Sequence, residues 1–327
     1  MTLSPLAHHF GKTFRNPYPG FTSHGFADFL KWQWDRRRGK APQKSRRYDL
    51  SCIPNDGKSL RENGGQFTAT WIGHTTALIQ LEGRTLLTDP LFSERCSPVS
   101  WSGPKRIVPP SPRLEHLPPI DGVLLSHDHY DHLDRATIKR LGNRPRYLVP
   151  LRVGKILQGF GIAKDRIIEL DWWQDLEWNG LQIHCTPAQH FSGRGVHNRN
   201  GTLWCSWAVL GKHHRFYFGG DSGYFPGFKE IGEKLGAFDL ALLPIGAYLP
   251  RWFMSSVHME PAQSLQAFLD VRAEKMLATH WGTFDLADEP MDEPPKLLLA
   301  AAQSHHIDLE RLWVTKPGET RVINMQS

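Results

Sequence analysis

His127-Asp128-His129-Tyr130-Asp131-His132 is the stretch on which the reading of this chain turns. The run before it, Ile120-Asp121-Gly122-Val123-Leu124-Leu125-Ser126, has the length and apolar character of a short buried strand. The run after it, Leu133 to Leu141, spaces its apolar residues as a helix does, with Asp134 in position to cap it. The hexapeptide is therefore expected on a strand-to-helix loop at the carboxyl end of a strand, where open α/β sheets keep their ligand sites. Imidazoles and carboxylates crowd this loop, and both are metal-ligand groups. His127 and His129 alternate and can reach one ion; Asp131 and His132, a step further round the turn, can reach a second. A loop that is merely rich in histidine needs neither the strand before nor the helix after.

Composition sets the bounds. The 327 residues suit one large domain or two small ones, and 40% hydrophobic content supports a sizeable core. No apolar run approaches the roughly 18 residues of a membrane span. The stretch Met1 to Phe10 lacks the basic and apolar regions of a secretory signal. Cys52, Cys96, Cys185 and Cys205 form no C-x-x-C pair, which argues against a zinc ribbon and a disulfide framework. A reducing, cytoplasmic setting is the expectation. Net charge is +6. Much of the excess lies in Arg36, Arg37, Arg38, Lys40, Lys44, Arg46 and Arg47, just after Phe29-Leu30-Lys31-Trp32-Gln33-Trp34. Cations beside tryptophans suit an anionic membrane surface. They also suit a nucleic-acid backbone, or a solvated segment with no partner.

Residues 1–66 show little periodicity and read as an extension packing on the core, with a short helix from Phe26 to Arg37. Residues 67–327 read as the main domain. Strands are expected at Phe67–Ile72, Thr75–Leu81 and Arg84–Thr88, the last ended by Asp89-Pro90. A proline-rich loop fills 93–119. Beyond the central motif, strands at 146–149 and 166–170 flank a helix at 152–160, an αβ layering. Asn179-Gly180 marks a hairpin. Further strands are expected at Thr202–Leu210, 215–218, 240–244 and 275–279, with helices at 228–235, 261–269 and 295–304. His190, Asp221 and His280 each follow a strand-like run, so ends of neighbouring strands are expected to converge on one edge of a sheet.

At this point the chain resembles the metallo-β-lactamase fold of hydrolases, a four-layer αββα sandwich. The pattern His-x-His-x-Asp-His, then a His, a bridging Asp and a final His, is matched by His127, His129, Asp131, His132, His190, Asp221 and His280. From about Phe67 onward it is similar, more narrowly, to N-acyl-phosphatidylethanolamine-hydrolysing phospholipase D and its bacterial relatives. That likeness rests on Thr70-Trp71-Ile72-Gly73-His74-Thr75-Thr76, Leu87-Thr88-Asp89-Pro90, Leu203-Trp204-Cys205-Ser206-Trp207, Pro250-Arg251-Trp252-Phe253-Met254 and His280-Trp281-Gly282-Thr283-Phe284.

The resemblance implies one metal on His127, His129 and His190 and a second on Asp131, His132 and His280, bridged by Asp221. Two zinc ions are expected, although the donor set also fits iron or manganese. The implied reaction is hydrolysis of a phospholipid phosphodiester, releasing an N-acylethanolamine, with Asp131, Asp221 and His258 in catalytic roles. Asp89 and His74 could each hold a ligand imidazole from behind. Tyr130, Tyr248, Trp252 and Phe253 are expected to line an apolar entrance for an acyl chain. A homodimer completes what the resemblance implies; peripheral contact with a membrane surface through the basic, aromatic N-terminal segment is an expectation from those residues themselves. The competing reading inside the fold is a hydrolase of a soluble phosphodiester or a lactone. Nucleic acid ranks lower, because nucleases of this fold usually carry an extra domain between the bridging Asp and the last His, and the passage from Asp221 to His280 leaves no room for one.

Overall fold

Among the described residues, two sets of largely apolar strands build two mixed sheets, each of seven strands, that pack face to face. The computed structural model describes residues 6–45, 48–195 and 197–323. Arg46 and Arg47 of the basic run, and residues 1–5 of the N-terminal stretch, lie outside the described residues. The first sheet runs from Thr320–Val322 through Thr68–Gly73, Thr76–Leu81, Arg84–Thr88, Gly122–Leu124 and Arg146–Pro150 to Ile167–Leu170. Its first pairs are antiparallel, and from Arg84–Thr88 onward they are parallel. The second sheet mirrors this plan, from Leu312–Trp313 through Ala273–Thr279, Phe238–Pro244, Arg215–Phe218, Ser206–Leu210 and Leu181–Thr186 to Asp175–Trp178.

Successive side chains on a strand point to opposite faces, and here both faces are covered, so the strands are nearly continuous apolar runs. Leu86, Leu124 and Leu148 point inward and meet Ile183, Val209, Phe216 and Leu242 of the facing sheet. Their neighbours Leu87, Val123 and Tyr147 point outward beneath Ile138, Val153 and Leu157 of the helices Arg135–Leu141 and Val153–Gly159. Tyr217, Ala241, Leu243 and Met276 likewise point outward beneath the helices Gly227–Leu235, Pro261–Asp270 and Glu293–Ser304. The result is the expected αββα order.

The structure departs from the sequence reading in places. The expected strand Thr202–Leu210 pairs within its sheet only from Ser206. The residues before it are spent on the other sheet: Leu203 N donates to Leu151 O and Cys205 N to Ser126 O, at 3.0 and 2.9 Å. The edge strands Leu312–Trp313 and Thr320–Val322 were not foreseen, nor was the small hairpin of His9–Phe10 and Thr13–Phe14. Runs of two or three residues are too short to show a period.

The N-terminal segment lies against the sandwich. Phe14 is buried in the core between the sheets. The helix Phe26–Arg37 forms over the residues expected and buries Trp32, whose Nε1 donates to Asp288 Oδ2 at 2.8 Å. His8 and His9 both meet Asp171 through Nε2, at 2.6 and 2.7 Å. Among the described residues no helix is long and apolar enough to cross a membrane.

Candidate metal centre

The strands Gly122–Leu124 of the first sheet and Leu181–Thr186, Arg215–Phe218 and Ala273–Thr279 of the second end on one side of the sandwich. The loops that follow carry His127–His132, His190, Asp221 and His280 to a single place. Asp134 fixes the first loop at its far end, accepting from Ala136 N and Thr137 N at the start of the helix. At the near end Ser126 N donates to Asp89 Oδ1 at 2.7 Å. His74, Asp89 and His280 all have positive φ, at 56°, 29° and 59°. Such conformations are costly for residues with a Cβ and gather where a site over-determines the backbone.

The side chains form two clusters that share a carboxylate. In the first, His127 Nε2 lies 2.9 Å from His129 Nδ1, and His190 Nε2 lies 3.3 Å from the same atom. In the second, Asp131 Oδ2 lies 3.4 Å from His132 Nε2, 3.5 Å from His280 Nε2 and 3.1 Å from His74 Nε2. Asp221 Oδ2 stands between them, 3.0 Å from His132 Nε2, 3.2 Å from His280 Nε2 and 3.8 Å from His190 Nε2. His258 joins at the rim, with Nδ1 3.9 Å from Asp221 Oδ2.

Hydrogen bonds behind these rings aim them. His132 Nδ1 donates to Asp89 Oδ2 at 2.7 Å, and His190 Nδ1 to the Val257 carbonyl at 2.9 Å. His127 Nδ1 meets Ser126 Oγ at 2.9 Å, and that hydroxyl donates to Asp89 Oδ2 at 2.5 Å. With Nδ1 spent in this way, each ring turns Nε2 toward the clusters. One buried carboxylate, Asp89, thus steadies a ring in each cluster. Sequence reading expected Asp89 and His74 each behind an imidazole; Asp89 is there, but His74 Nε2 meets the carboxylate of Asp131 at 3.1 Å instead, and Ser126 and Val257 were missed. A serine between a strand and a histidine carries no signal of its own, and a backbone carbonyl carries none at all.

Electrostatics divides the clusters. Burial presses His127 well below the ordinary imidazole value, His129 to about 4 and His190 to about 3, so these rings are neutral. Burial also opposes charge on His132 and His280, but Asp221 and Asp131 beside them prevail. They hold His132 well above the ordinary value and His280 at about 9. Burial would likewise raise Asp131 and Asp221, yet the adjoining imidazoles keep both well below the carboxylate range.

The residues fit a pair of cations. His132 Nε2, His280 Nε2, Asp221 Oδ1 and His258 Nδ1 are buried without a hydrogen-bond partner. His132 and His280 approach Asp221 closely, but out of hydrogen-bond line. An unpaired buried polar atom costs about 1–3 kcal/mol. Several such atoms converging on one space are what a bound cation relieves. The donors are imidazole and carboxylate, as zinc and its neighbours prefer.

An apolar cavity of about 810 Å³ opens on His258. Phe191, Phe253, Met254 and Val257 wall it on one side, and Phe26, Phe29 and Trp32 of the N-terminal helix on the other. Of the aromatic residues expected to line one entrance, only Phe253 does so. Trp252 and Phe253 are consecutive in the short helix Arg251–Met254, so they point about 100° apart at 3.6 residues per turn. Trp252 lies instead under Lys31 Nζ, 3.9 Å from the ring centroid. Tyr248 is buried with its hydroxyl on Glu293. Tyr130 donates to the Arg194 carbonyl at 2.8 Å and lines a separate cavity.

A family model described as beta-lactamase superfamily domain matches residues 84–281. An uncharacterised protein of Mycobacterium tuberculosis is 47% identical over 264 residues, covering 79% of this chain and 69% of that protein. N-acyl-phosphatidylethanolamine-hydrolysing phospholipase D 1 of Caenorhabditis elegans is 45% identical over 246 residues, covering 70% and 69%. Among solved structures, a metallo hydrolase from Ignicoccus hospitalis is similar with a TM-score of 0.60. It covers 80% of this chain and 100% of its own, and at 21% identity the likeness is one of fold.

Proposed function

The chain belongs to the beta-lactamase superfamily and is a metal-dependent hydrolase, and from that premise we propose that it cleaves N-acyl-phosphatidylethanolamine or a similar phospholipid in a phospholipase D-type reaction. Water would add to phosphorus and the bond to the ethanolamine oxygen would break, leaving phosphatidic acid and an N-acylethanolamine. The observation that carries this reading is the apolar cavity of about 810 Å³ opening on His258 beside the two ligand clusters. A soluble phosphodiester would have no use for that space. The Caenorhabditis elegans relative, 45% identical, supports the same substrate class.

Two zinc ions are the proposed cofactors, one held by His127, His129 and His190, the other by Asp131, His132 and His280, with Asp221 common to both. When bound, such ions lower the pKa of water and neutralise charge developing on a phosphoryl group. The chain's own groups do the rest. His258, neutral because burial presses it to about 3, offers an N–H to a phosphoryl oxygen. Arg199, which lines the cavity with its guanidinium 4.5 Å from the Phe191 ring centroid, is placed for an anionic headgroup. His74 Nε2 meets Asp131 at Oδ2, the oxygen that also faces His132 and His280, and steadies it there. The cavity takes the acyl chain and keeps water away from the phosphodiester.

The test is hydrolysis of N-acyl-phosphatidylethanolamine by the zinc-loaded chain, with Asp131→Asn as control and release of N-acylethanolamine as readout. The expected result is release that the substitution abolishes. Metal-dependent cleavage of bis-p-nitrophenyl phosphate with no action on the lipid would move the substrate to a soluble phosphodiester.

A further inference from the structure

The helix Phe26–Arg37 is apolar on more than one side. Trp32 faces inward and packs with Ala247, Met254 and Phe253. Phe26, Leu30 and Trp34, spaced four residues apart, form a stripe on the outside, 67%, 51% and 54% exposed. Side chains of this size do not ordinarily line up in water without a partner. The charges beside the stripe are mostly positive. Between Phe26 and Lys40 the chain carries Lys31, Arg36, Arg37, Arg38 and Lys40 against Asp28 and Asp35. Both acids are engaged locally: Asp28 accepts from Gly25 N at 2.9 Å, and Asp35 pairs with Lys40 at 2.8 Å. Arg38 sits over the Trp34 ring at 4.9 Å, so the stripe ends in a cation resting on an indole.

We infer that this helix docks the protein on an anionic lipid bilayer, with Phe26, Leu30 and Trp34 seated among the acyl chains and Lys31, Arg37 and Arg38 at the headgroups. Aromatic and aliphatic side chains flanked by Lys and Arg are what an interfacial helix needs. Charge favours an anionic lipid over a second copy of a chain that itself carries +6. The stripe is also continuous with the cavity. Phe26 belongs to both, and Phe29 and Trp32 form the wall behind it. One helix therefore has its outer edge on the membrane and its inner edge on the acyl-chain cavity. A lipid leaving the bilayer at this helix would enter beside His258 without crossing water. That route rests on the phospholipase reading; the docking does not.

The test is co-sedimentation of the full, metal-loaded chain with phosphatidylcholine vesicles, with and without phosphatidylglycerol. No N-acylated lipid is present, so binding is read apart from turnover. Leu30→Ser combined with Trp34→Ser removes two exposed side chains, neither of which lines the cavity. The expected result is binding that needs phosphatidylglycerol, weakens with salt, and falls about tenfold or more in the double variant because it scales with buried apolar area. Cleavage of bis-p-nitrophenyl phosphate should stay unchanged. Equal binding by parent and variant, or no binding by the parent, overturns the proposal. So does a change from dimer to monomer in the variant with vesicle binding untouched, which would make the stripe an interface between chains. Vesicle binding as expected, in a chain that never cleaves N-acylated lipid, keeps the docking and overturns the proposed reaction.

Discussion

Asp89 is the residue on which both clusters depend. It has no exposure, and its oxygens meet His132 Nδ1, Ser126 N and Ser126 Oγ, the last of which holds His127. Asp89→Asn keeps the shape but turns an acceptor into a donor facing Ser126 or His132. Metal affinity is expected to fall roughly 10–100-fold, as for other groups behind a ligand imidazole. Metal content after dialysis against a weak chelator checks this, and full occupancy would remove Asp89 from that role. A pH effect belongs to the same scale. In the metal-free chain His280 is raised from 6.5 to about 9 by Asp221 and Asp131, against burial. Its contribution to stability is fully present below pH 6.5 and is lost as pH rises through about 9. Asp131 and Asp221, depressed, contribute above the ordinary carboxylate value and lose that only in acid. The chelated chain should therefore melt at a lower temperature at pH 9 than at pH 6.5, while metal, taking over the charge pairing, should flatten the difference. Melting curves across this range decide it.

At the scale of the element, the helix Phe26–Arg37 is held by one buried side chain. Trp32 is 6% exposed, and Asp288, which accepts from its indole, also pairs with Arg36 Nε at 3.1 Å. Trp32→Ala leaves a void and frees the carboxylate, at a cost of up to about 3–5 kcal/mol for a large aromatic. The loss should be local, because the clusters draw nothing from this helix. Cleavage of N-acylated lipid is expected to drop by tenfold or more, with cleavage of bis-p-nitrophenyl phosphate preserved, on the order of what a lost buried anchor costs. Parallel assays on the two substrates test it, and equal losses would mean that the helix supports the whole site rather than the cavity.

Across the whole molecule the proposed ligands join the two sheets. His127, His129, Asp131 and His132 follow a strand of the first sheet, while His190, Asp221 and His280 follow strands of the second. Bound metal is then a staple between layers. Ligand binding to the folded state adds stability by mass action, about 4 kcal/mol at a thousandfold excess over Kd. Chelation should lower the unfolding free energy by a comparable amount, read as a fall in the urea midpoint, and restoring metal should return it. A midpoint indifferent to chelator would mean that inter-sheet packing of residues such as Trp207, Phe216 and Leu242 alone holds the layers.

The sequence by itself determined the layers and the candidate ligands. Buried parallel strands must be long apolar runs, and a metal-binding loop must bring imidazole and carboxylate close together in the chain. Both demands leave local marks, so Val123-Leu124-Leu125, the hexapeptide after it, and His190, Asp221 and His280 after their strands are all legible in the order of residues alone. Only the tertiary structure decided what lies behind and beside the site. The link from Asp89 through Ser126 to His127, the carbonyl of Val257 on His190, and the seating of Lys31 over Trp252 join residues whose partners the local pattern does not name. The cavity wall is the clearest case. Phe26, Phe29 and Trp32 reach the site from some hundred residues away in the chain, and they do so because Trp32 finds Asp288, a partner that no periodicity announces.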